Sequence, residues 1–265
     1  MTLKVLTWNI RRANKHNLKV WEKIKDINAD ILLLQEVGSI PIYIQKNYNS
    51  VLENPIKKSG ESQNFHTAIL VKGKICSKIV LSSEYDWVNK ELAIFSGNLV
   101  SFRVKVKNQY INLISVYSPA WCINKNKYTN NEIKGIKLNK NDDIWCTELL
   151  WDSLKNALPV SIHPWIISGD FNSSPTFDKT FSSGNQEIID RMYSLDLHDC
   201  LQEYNKGLTP TFKNSKGGKV IHQLDYVYTT KDLFKKMIKS VTLDQNEIFN
   251  NSLSDHLPII TTFQL

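Results

Sequence analysis

The chain has 265 residues, 42% of them hydrophobic, an ordinary globular balance that excludes a disordered or fibrous protein. That length can bury a sizeable core and still form one domain, 1–265. A formal charge of +7 and a pI near 9.0 favour polyanionic partners such as nucleic acid or an anionic lipid surface.

Residues 3–8 read as a strand and 9–17 as a polar loop. Leu18, Trp21, Ile24 and Ile27 then recur at helical spacing. Ile31-Leu32-Leu33-Leu34 is a short apolar run, as expected of a strand covered on both faces. Further strands are expected at 67–71, 75–81, 99–106, 111–116, 165–168, 224–228 and 259–263, with helices at 142–158 and 185–192. Strands interleaved with helices predict an α/β fold. Residues 124–143 are rich in Asn and Lys and read as a surface insertion between two core strands. No internal repeat or Pro/Gly/Ser linker divides the chain. Cys76, Cys122, Cys146 and Cys200 are scattered without metal-like spacing, and neither a signal-peptide pattern nor a membrane-length apolar run is found. The expectation is a reduced, soluble, cytoplasmic monomer without stable membrane association.

Polar residues that follow apolar strands sit at strand carboxyl ends, where α/β folds place their sites. Asn9 ends the first strand, Gln35-Glu36 the 31–34 run and Tyr117 the 111–116 strand. Asp170 and Asn172 follow 165–167, and Asp255-His256 precedes the last strand. Each has a structural reading as well: turn residue, solvated strand end, half-buried packing or cap. Asp225, inside Leu224-Asp225-Tyr226-Val227, is harder to explain so, because a carboxylate in an apolar strand must be paired or ligated. Together these residues form one chemical inventory. Glu36 and Asp255 are oxygen ligands for a hard cation such as Mg²⁺ or Mn²⁺, and Asn9 can assist. His256 needs an acidic partner to fix its ring, and Asp225 is suited to that. Asp170 and Asn172 can aim a carboxylate and an amide at water or a phosphate oxygen, while Tyr117 can donate to a non-bridging oxygen. Phosphodiester hydrolysis needs these parts.

The motifs Thr7-Trp8-Asn9-Ile10, Leu34-Gln35-Glu36-Val37, Val116-Tyr117-Ser118-Pro119, Gly169-Asp170-Phe171-Asn172, Leu224-Asp225-Tyr226-Val227 and Ser254-Asp255-His256-Leu257-Pro258 stand in family order. Through them the chain resembles the endonuclease/exonuclease/phosphatase superfamily, from residue 3 onward. The resemblance implies a four-layered α/β sandwich, two mixed β-sheets face to face with helices outside. It implies Glu36 as principal metal ligand, helped by Asn9 and Asp255, and a His256–Asp225 pair at the scissile phosphate. Asp170 and Asn172 would position the nucleophile or leaving group, with either Asp170 or His256 taking the proton from water.

The superfamily acts on DNA, RNA, inositol phosphates and sphingomyelin, so the substrate must be argued separately. Val116-Tyr117-Ser118-Pro119 resembles the exonuclease III, abasic-endonuclease and LINE-type retrotransposon endonuclease branch. The loop after Asn9 is similar to that branch too, and Arg11, Arg12 and Lys15 there suit phosphate contact or a solvated loop. Positive charge suits an enzyme that tracks a nucleic acid backbone. The expected activity is therefore a nuclease that favours DNA over RNA and leaves a 5′-phosphate and a 3′-hydroxyl. The alternatives are a phosphoinositide or phospholipid phosphodiesterase and a non-catalytic nucleic-acid-binding module.

Residues 124–143, with Lys125, Lys127, Tyr128, Lys134, Lys137 and Lys140 between Trp121 and Trp145, read either as a strand-holding surface or as a solvated loop. Lys213, Lys216 and Lys219 around Gly217-Gly218 read as a phosphate-contacting turn or a plain hairpin. Two features depart from the branch. His222-Gln223 stands where Arg is common, which weakens the case for lesion specificity. His66 takes a place where a small residue is usual, and reads as a site residue or a structural one.

Overall fold

A computed structural model describes residues 1–179, 183–214 and 218–265; Lys216, one of the expected phosphate contacts, lies outside them. The strands are β1 (Thr2–Asn9), β2 (Ile31–Val37), β3 (Asn49–Glu53), β4 (His66–Val71), β5 (Lys74–Lys78), β6 (Leu99–Val106), β7 (Gln109–Tyr117), β8 (Trp165–Asp170), β9 (Leu197–Asp199), β10 (Phe212–Lys213), β11 (Val220–His222), β12 (Asp225–Thr230), β13 (Met237–Thr242) and β14 (Ile259–Gln264). Two six-stranded sheets result, ordered β13-β14-β1-β2-β4-β3 and β5-β6-β7-β8-β12-β9, with β10-β11 a separate ribbon. Both are mixed: β1/β2 and β7/β8 pair in parallel, and the other pairs within the two sheets are antiparallel.

The apolar alternation explains the layering. Leu3, Val5, Ile31, Leu33 and Phe263 of one sheet join Val104, Leu113, Ile166 and Val227 of the other in a cluster between the sheets. Leu6, Trp8, Leu32 and Leu34, on the opposite face, pack against Trp21 and Ile24 of the helix Leu18–Ile27. On the outer face of the second sheet, Ile114, Ile167 and Tyr226 meet the helices Asp86–Ile94, Cys146–Ala157 and Asn185–Tyr193. The order helix, sheet, sheet, helix is the four-layered sandwich expected from the sequence.

Several boundaries moved for identifiable reasons. The 75–81 strand stops at Lys78. The helix expected from 142 begins at Cys146, where Glu148 accepts the Trp145 backbone N–H in a capping arrangement. Ile144 instead accepts from the Ile123 backbone, closing the base of the 124–143 insertion. That insertion is less solvated than its composition suggests: Ile133, Ile136 and Leu138 are buried, with Ile133 and Ile136 in the outer cluster. The edge strands β3 and β13, absent from the sequence reading, leave most of their residues half-buried or exposed and so lack a clear apolar pattern.

The topology decides where the chemistry sits. Parallel pairing of β1 with β2 brings Asn9 opposite Gln35, and that of β7 with β8 brings Tyr117 opposite Asp170. β12 runs the other way, so its first residue, Asp225, pairs with Asp170. Gly169 (φ +146°) permits the two sheets to meet here: a Cβ on it would lie 2.0 Å from the Val116 carbonyl oxygen and 2.8 Å from Gln35 Nε2.

Candidate active site

At this edge the chain is bent into unusual conformations. Arg11, Arg12, Glu36 and Asn172 all have φ between +47° and +58°, a region that costs non-glycine residues energy and clusters at functional sites. Glu36 sits where the β2/β4 register shifts between Leu34 and Val37, a bulge that re-aims its carboxylate out of the sheet.

The centre is a buried line of three groups. His256 Nδ1 lies 2.9 Å from Asp225 Oδ2, and Nε2 lies 3.8 Å from Asp170 Oδ2. Asp225 is fixed from behind by Thr211, whose hydroxyl donates to Oδ2 at 2.7 Å and accepts the backbone N–H groups of Leu224 and Asp225. The His256 backbone is held by Ser254 Oγ and, through its carbonyl, by Trp8 Nε1. The Phe212 ring packs against the imidazole, 4.9 Å between centroids. Asp170 accepts the Asn172 backbone N–H at 2.9 Å and Asn9 Nδ2 at 3.1 Å, and Asn172 Nδ2 donates to the Ser118 carbonyl at 2.6 Å.

Burial lowers the His256 pKa, but the carboxylates of Asp225 and Asp170 outweigh it and the net shift is upward. Burial raises Asp170, opposed by His256 and reinforced by Asp225. Tyr117 is raised by burial and then by Glu36 and Asp170, so its phenol remains a hydrogen-bond donor. The same edge thus holds a cationic ring, a carboxyl drawn toward neutrality and a neutral phenol.

Glu36 lies beside this line. Tyr117 OH donates to Glu36 Oε1 at 3.3 Å, and Asn9 Nδ2 approaches the same oxygen at 3.5 Å. Arg12 reaches Glu36 at 3.6 Å and Arg11 reaches Asp255 at 3.8 Å. Glu36 and Asp255 offer carboxylate oxygens from side chains 18% and 35% exposed, which fits a hard divalent cation approached from solvent, while Asn9, with its oxygen on the Arg11 N–H and its amide nitrogen toward Glu36, assists by hydrogen bonding. Asp170, Asp225 and His256 also lie close enough to chelate, with ligand atoms within 4.8 Å. Their Nδ1–Oδ2 hydrogen bond and burial suit proton handling better.

Asn9, Glu36, Tyr117, Asp170, Asn172, Asp225 and His256 therefore converge, and Asp255, Arg11 and Arg12 stand at the rim. Lys15 is exposed, and its backbone N–H is held by Ser39 Oγ at 2.9 Å. His66 bonds the Val37 carbonyl at 3.1 Å, which favours its structural reading. Gln223 is buried, with Nε2 on Asp199 at 3.0 Å and Oε1 on the Thr209 N–H at 2.8 Å. It faces the interior, where Asp199 requires it. Lys213 lies 5.5 Å over the Phe249 ring, and Lys219 accepts the Asn214 N–H through its carbonyl. Thr211 and Phe212 carry no signal in the sequence, since neither is a charged or metal-ligating residue at the end of an apolar run.

A family model described as the Endonuclease/Exonuclease/phosphatase family matches residues 6–256. The chain belongs to that family. The Archaeoglobus fulgidus AP endonuclease is similar in structure, with TM-score 0.69, 17% identity and coverage of 99% of this chain and 100% of that one. The 3′ phosphatase NExo from Neisseria, bound to product DNA hairpin, gives 0.66, 18%, 99% and 100%. The Xenopus laevis APE2 catalytic domain gives 0.67, 18%, 98% and 91%. No curated protein sequence matches the chain significantly. Family membership supports hydrolysis of phosphodiester bonds, and these identities extend the likeness to the fold. No helix among the described residues is long and apolar enough to cross a membrane, and all four cysteines are free thiols.

Proposed function

We propose that the protein is a Mg²⁺- or Mn²⁺-dependent nuclease that hydrolyses a nucleic acid backbone, DNA in preference to RNA, in the cytoplasm and as a monomer. The observation that carries this reading is the buried Asp225–His256–Asp170 line opening beside Glu36. Glu36 and Asp255, with Asn9 beside them, would hold the cation, which when bound would supply charge to offset that developing on the phosphate.

Asp170 takes a proton from water as its oxygen attacks phosphorus in line. Its raised pKa brings it closer to the working pH of a general base. The bond to the 3′ oxygen breaks, that oxygen takes a proton from a solvent water, and a 5′-phosphate and a 3′-hydroxyl remain. His256, kept cationic by its two carboxylates, donates to a non-bridging oxygen where negative charge gathers. Asn172 orients Asp170, with its own amide pinned on Ser118. Tyr117 donates to phosphate or to Glu36, and Arg11, Arg12 and Lys15 contact flanking phosphates.

The test is a gel assay on supercoiled plasmid, single-stranded DNA, abasic duplex and RNA with Mg²⁺, Mn²⁺ or EDTA. Metal-dependent cleavage abolished in Glu36→Ala is expected. Intact nucleic acid in every lane, with turnover of an inositol phosphate or lipid head group, would overturn the nuclease reading.

A further inference from the structure

A cavity of about 540 Å³, lined by residues other than those of the catalytic line, falls within the roughly 300–1,000 Å³ range of small-ligand sites. Its floor is apolar and aromatic: Phe95 and Ile123 are buried, and Trp121 is half-buried. The Trp121 ring leans on Phe95 at 5.4 Å and 35°, which steadies it while its remaining surface lines the cavity. The rim is basic, with Lys57 and Lys58 on one side and Lys125 and Lys127 on the other.

Two carboxylates also line it, Glu91 and Asp143, and a third, Glu61, pairs with Lys57 at 3.3 Å, so the four lysines leave the rim only slightly positive, with Lys58 an exposed cation. Glu91 is occupied by Tyr128 OH at 2.5 Å and by Lys127 at 3.6 Å, and Asp143 by Lys125 at 3.1 Å. Lys125 and Asp143 are 40% and 42% exposed, so this lysine exchanges readily for a phosphate, whereas Lys127, itself 53% exposed, leans on a Glu91 that is only 6% exposed and keeps its Tyr128 hydrogen bond.

The cavity is joined to the catalytic edge. Trp121 follows Tyr117 by four residues, which limits their Cα separation to about 14 Å. Asn98 accepts the Ile56 N–H in the cavity wall at 3.1 Å, and its amide donates to the Tyr117 carbonyl at 2.9 Å. The cavity wall and the Tyr117 backbone are therefore held by one asparagine, which ties the position of one to the other.

We infer that the Trp121 cavity is a subsite for an unpaired base of the substrate strand, stacked on the indole with its flanking phosphates on Lys57, Lys58, Lys125 and Lys127. This inference rests on the nuclease reading. Aromatic floors with basic rims hold single strands by this combination, without needing sequence readout. The consequence is a preference for substrates with single-stranded nucleotides beyond the cut, over a minimal phosphodiester.

The experiment measures Kd for a fluorescein-labelled single-stranded DNA 12-mer by anisotropy in EDTA, beside Mn²⁺-dependent turnover of the 12-mer and of bis-p-nitrophenyl phosphate. Trp121→Ala should weaken 12-mer binding about tenfold, Trp121→Phe much less, since stacking survives. The ratio of kcat/KM on the 12-mer to that on the ester should fall by the same factor. Lys58→Glu, at an exposed position, should weaken binding and reduce the slope of log Kd on log salt by about 0.7. It decides the matter if Trp121→Ala unfolds. Unchanged binding in folded Trp121→Ala and Lys58→Glu overturns the subsite while leaving a nuclease that still cuts. Binding that depends on Trp121 and Lys58, with no cleavage by the wild type, sinks the nuclease and keeps the subsite. A wild type that neither binds nor cleaves the 12-mer overturns both.

Discussion

The catalytic edge and the 124–143 excursion hold polar groups by opposite means. At the edge, Asp170, Asp225 and His256 are each at most 5% exposed, and all three hydrogen-bond other side chains. On the excursion, Lys125 meets Asp143 and Lys137 meets Asp142 in pairs where each partner is at least 33% exposed. Burial makes the first network cooperative, because removing one member leaves the others unpaired in a low dielectric. Exposure makes the second replaceable, since water and salt compete for each charge. A centre that must hold atoms in place needs the first kind. A surface that exchanges carboxylates for passing phosphates needs the second.

The strongest way to break this comparison is to remove one buried member. Asp170→Ala or His256→Ala should each lower kcat by about 10³-fold or more with the fold retained, and the double variant should cost far less than the product. Single-turnover cleavage beside circular dichroism checks this. Multiplicative losses would mean two independent groups, not one line.

The excursion has its own buried part, and Ile136 lies fully in the outer core. Ile136→Ala should destabilise the protein by about 2–5 kcal/mol, read from urea unfolding. A cost below about 1 kcal/mol would return residues 124–143 to the solvated loop their composition suggests. A smaller effect is expected at Thr211, which bonds Asp225 Oδ2 and two backbone N–H groups at once. Thr211→Val should cost about 1–3 kcal/mol, and should also lower kcat, because the His256–Asp225 pair loses its support. Loss of stability with kcat intact would make Thr211 a turn residue only.

The sequence disclosed much of the edge and little of the excursion, for physical reasons. Asp225 could be picked out because a carboxylate among Leu224, Tyr226 and Val227 has no inexpensive solvent-exposed alternative. The strands behind it were clear because both faces are apolar, as in Ile31–Leu34 and Trp165–Ile167. Thr211 was not visible: its role depends on β10 and β12 meeting, which no local pattern encodes. The helix Asp86–Ile94 was missed too, although Trp87, Val88, Glu91 and Leu92 line its buried face, a helical spacing that its polar positions obscured. In the excursion, isolated Ile133, Ile136 and Leu138 among Asn and Lys gave no period at all. Lys15 stands on its charge and on the loop's likeness to the exonuclease III branch, and neither fixes where an exposed ammonium points.

Glu148 stands at the border of the two regions and sharpens the contrast by pH. Its pKa is raised to about 7, chiefly by burial, against hydrogen bonds from Trp145 and Thr147. A carboxyl raised in the folded state binds its proton more tightly there than when unfolded. Its contribution is therefore fully present below the ordinary carboxylate range and is lost as pH rises from about 4.3 through about 7. Tm should fall over that window in the wild type and fall less in Glu148→Gln, with ~2–4 °C for each kcal/mol in a chain of this size. Identical profiles would show that Glu148 titrates as if exposed.

The smallest effect tests the excursion one residue from its largest. Lys137 follows Ile136 and pairs with Asp142, whose side chain is 66% exposed. The lysine holds down the carboxyl pKa of Asp142 through their hydrogen bond and charge, but the pair is open to solvent. Lys137→Ala should therefore leave the urea midpoint close to that of the wild type. The pair in Ile136→Ala and Lys137→Ala then isolates burial from charge within two adjacent residues. A loss at Lys137 approaching that at Ile136 would mean that the lysine clamps the excursion to the core. The excursion would then share the rigid logic of the catalytic edge, and its lysines would be held too firmly to exchange for phosphate.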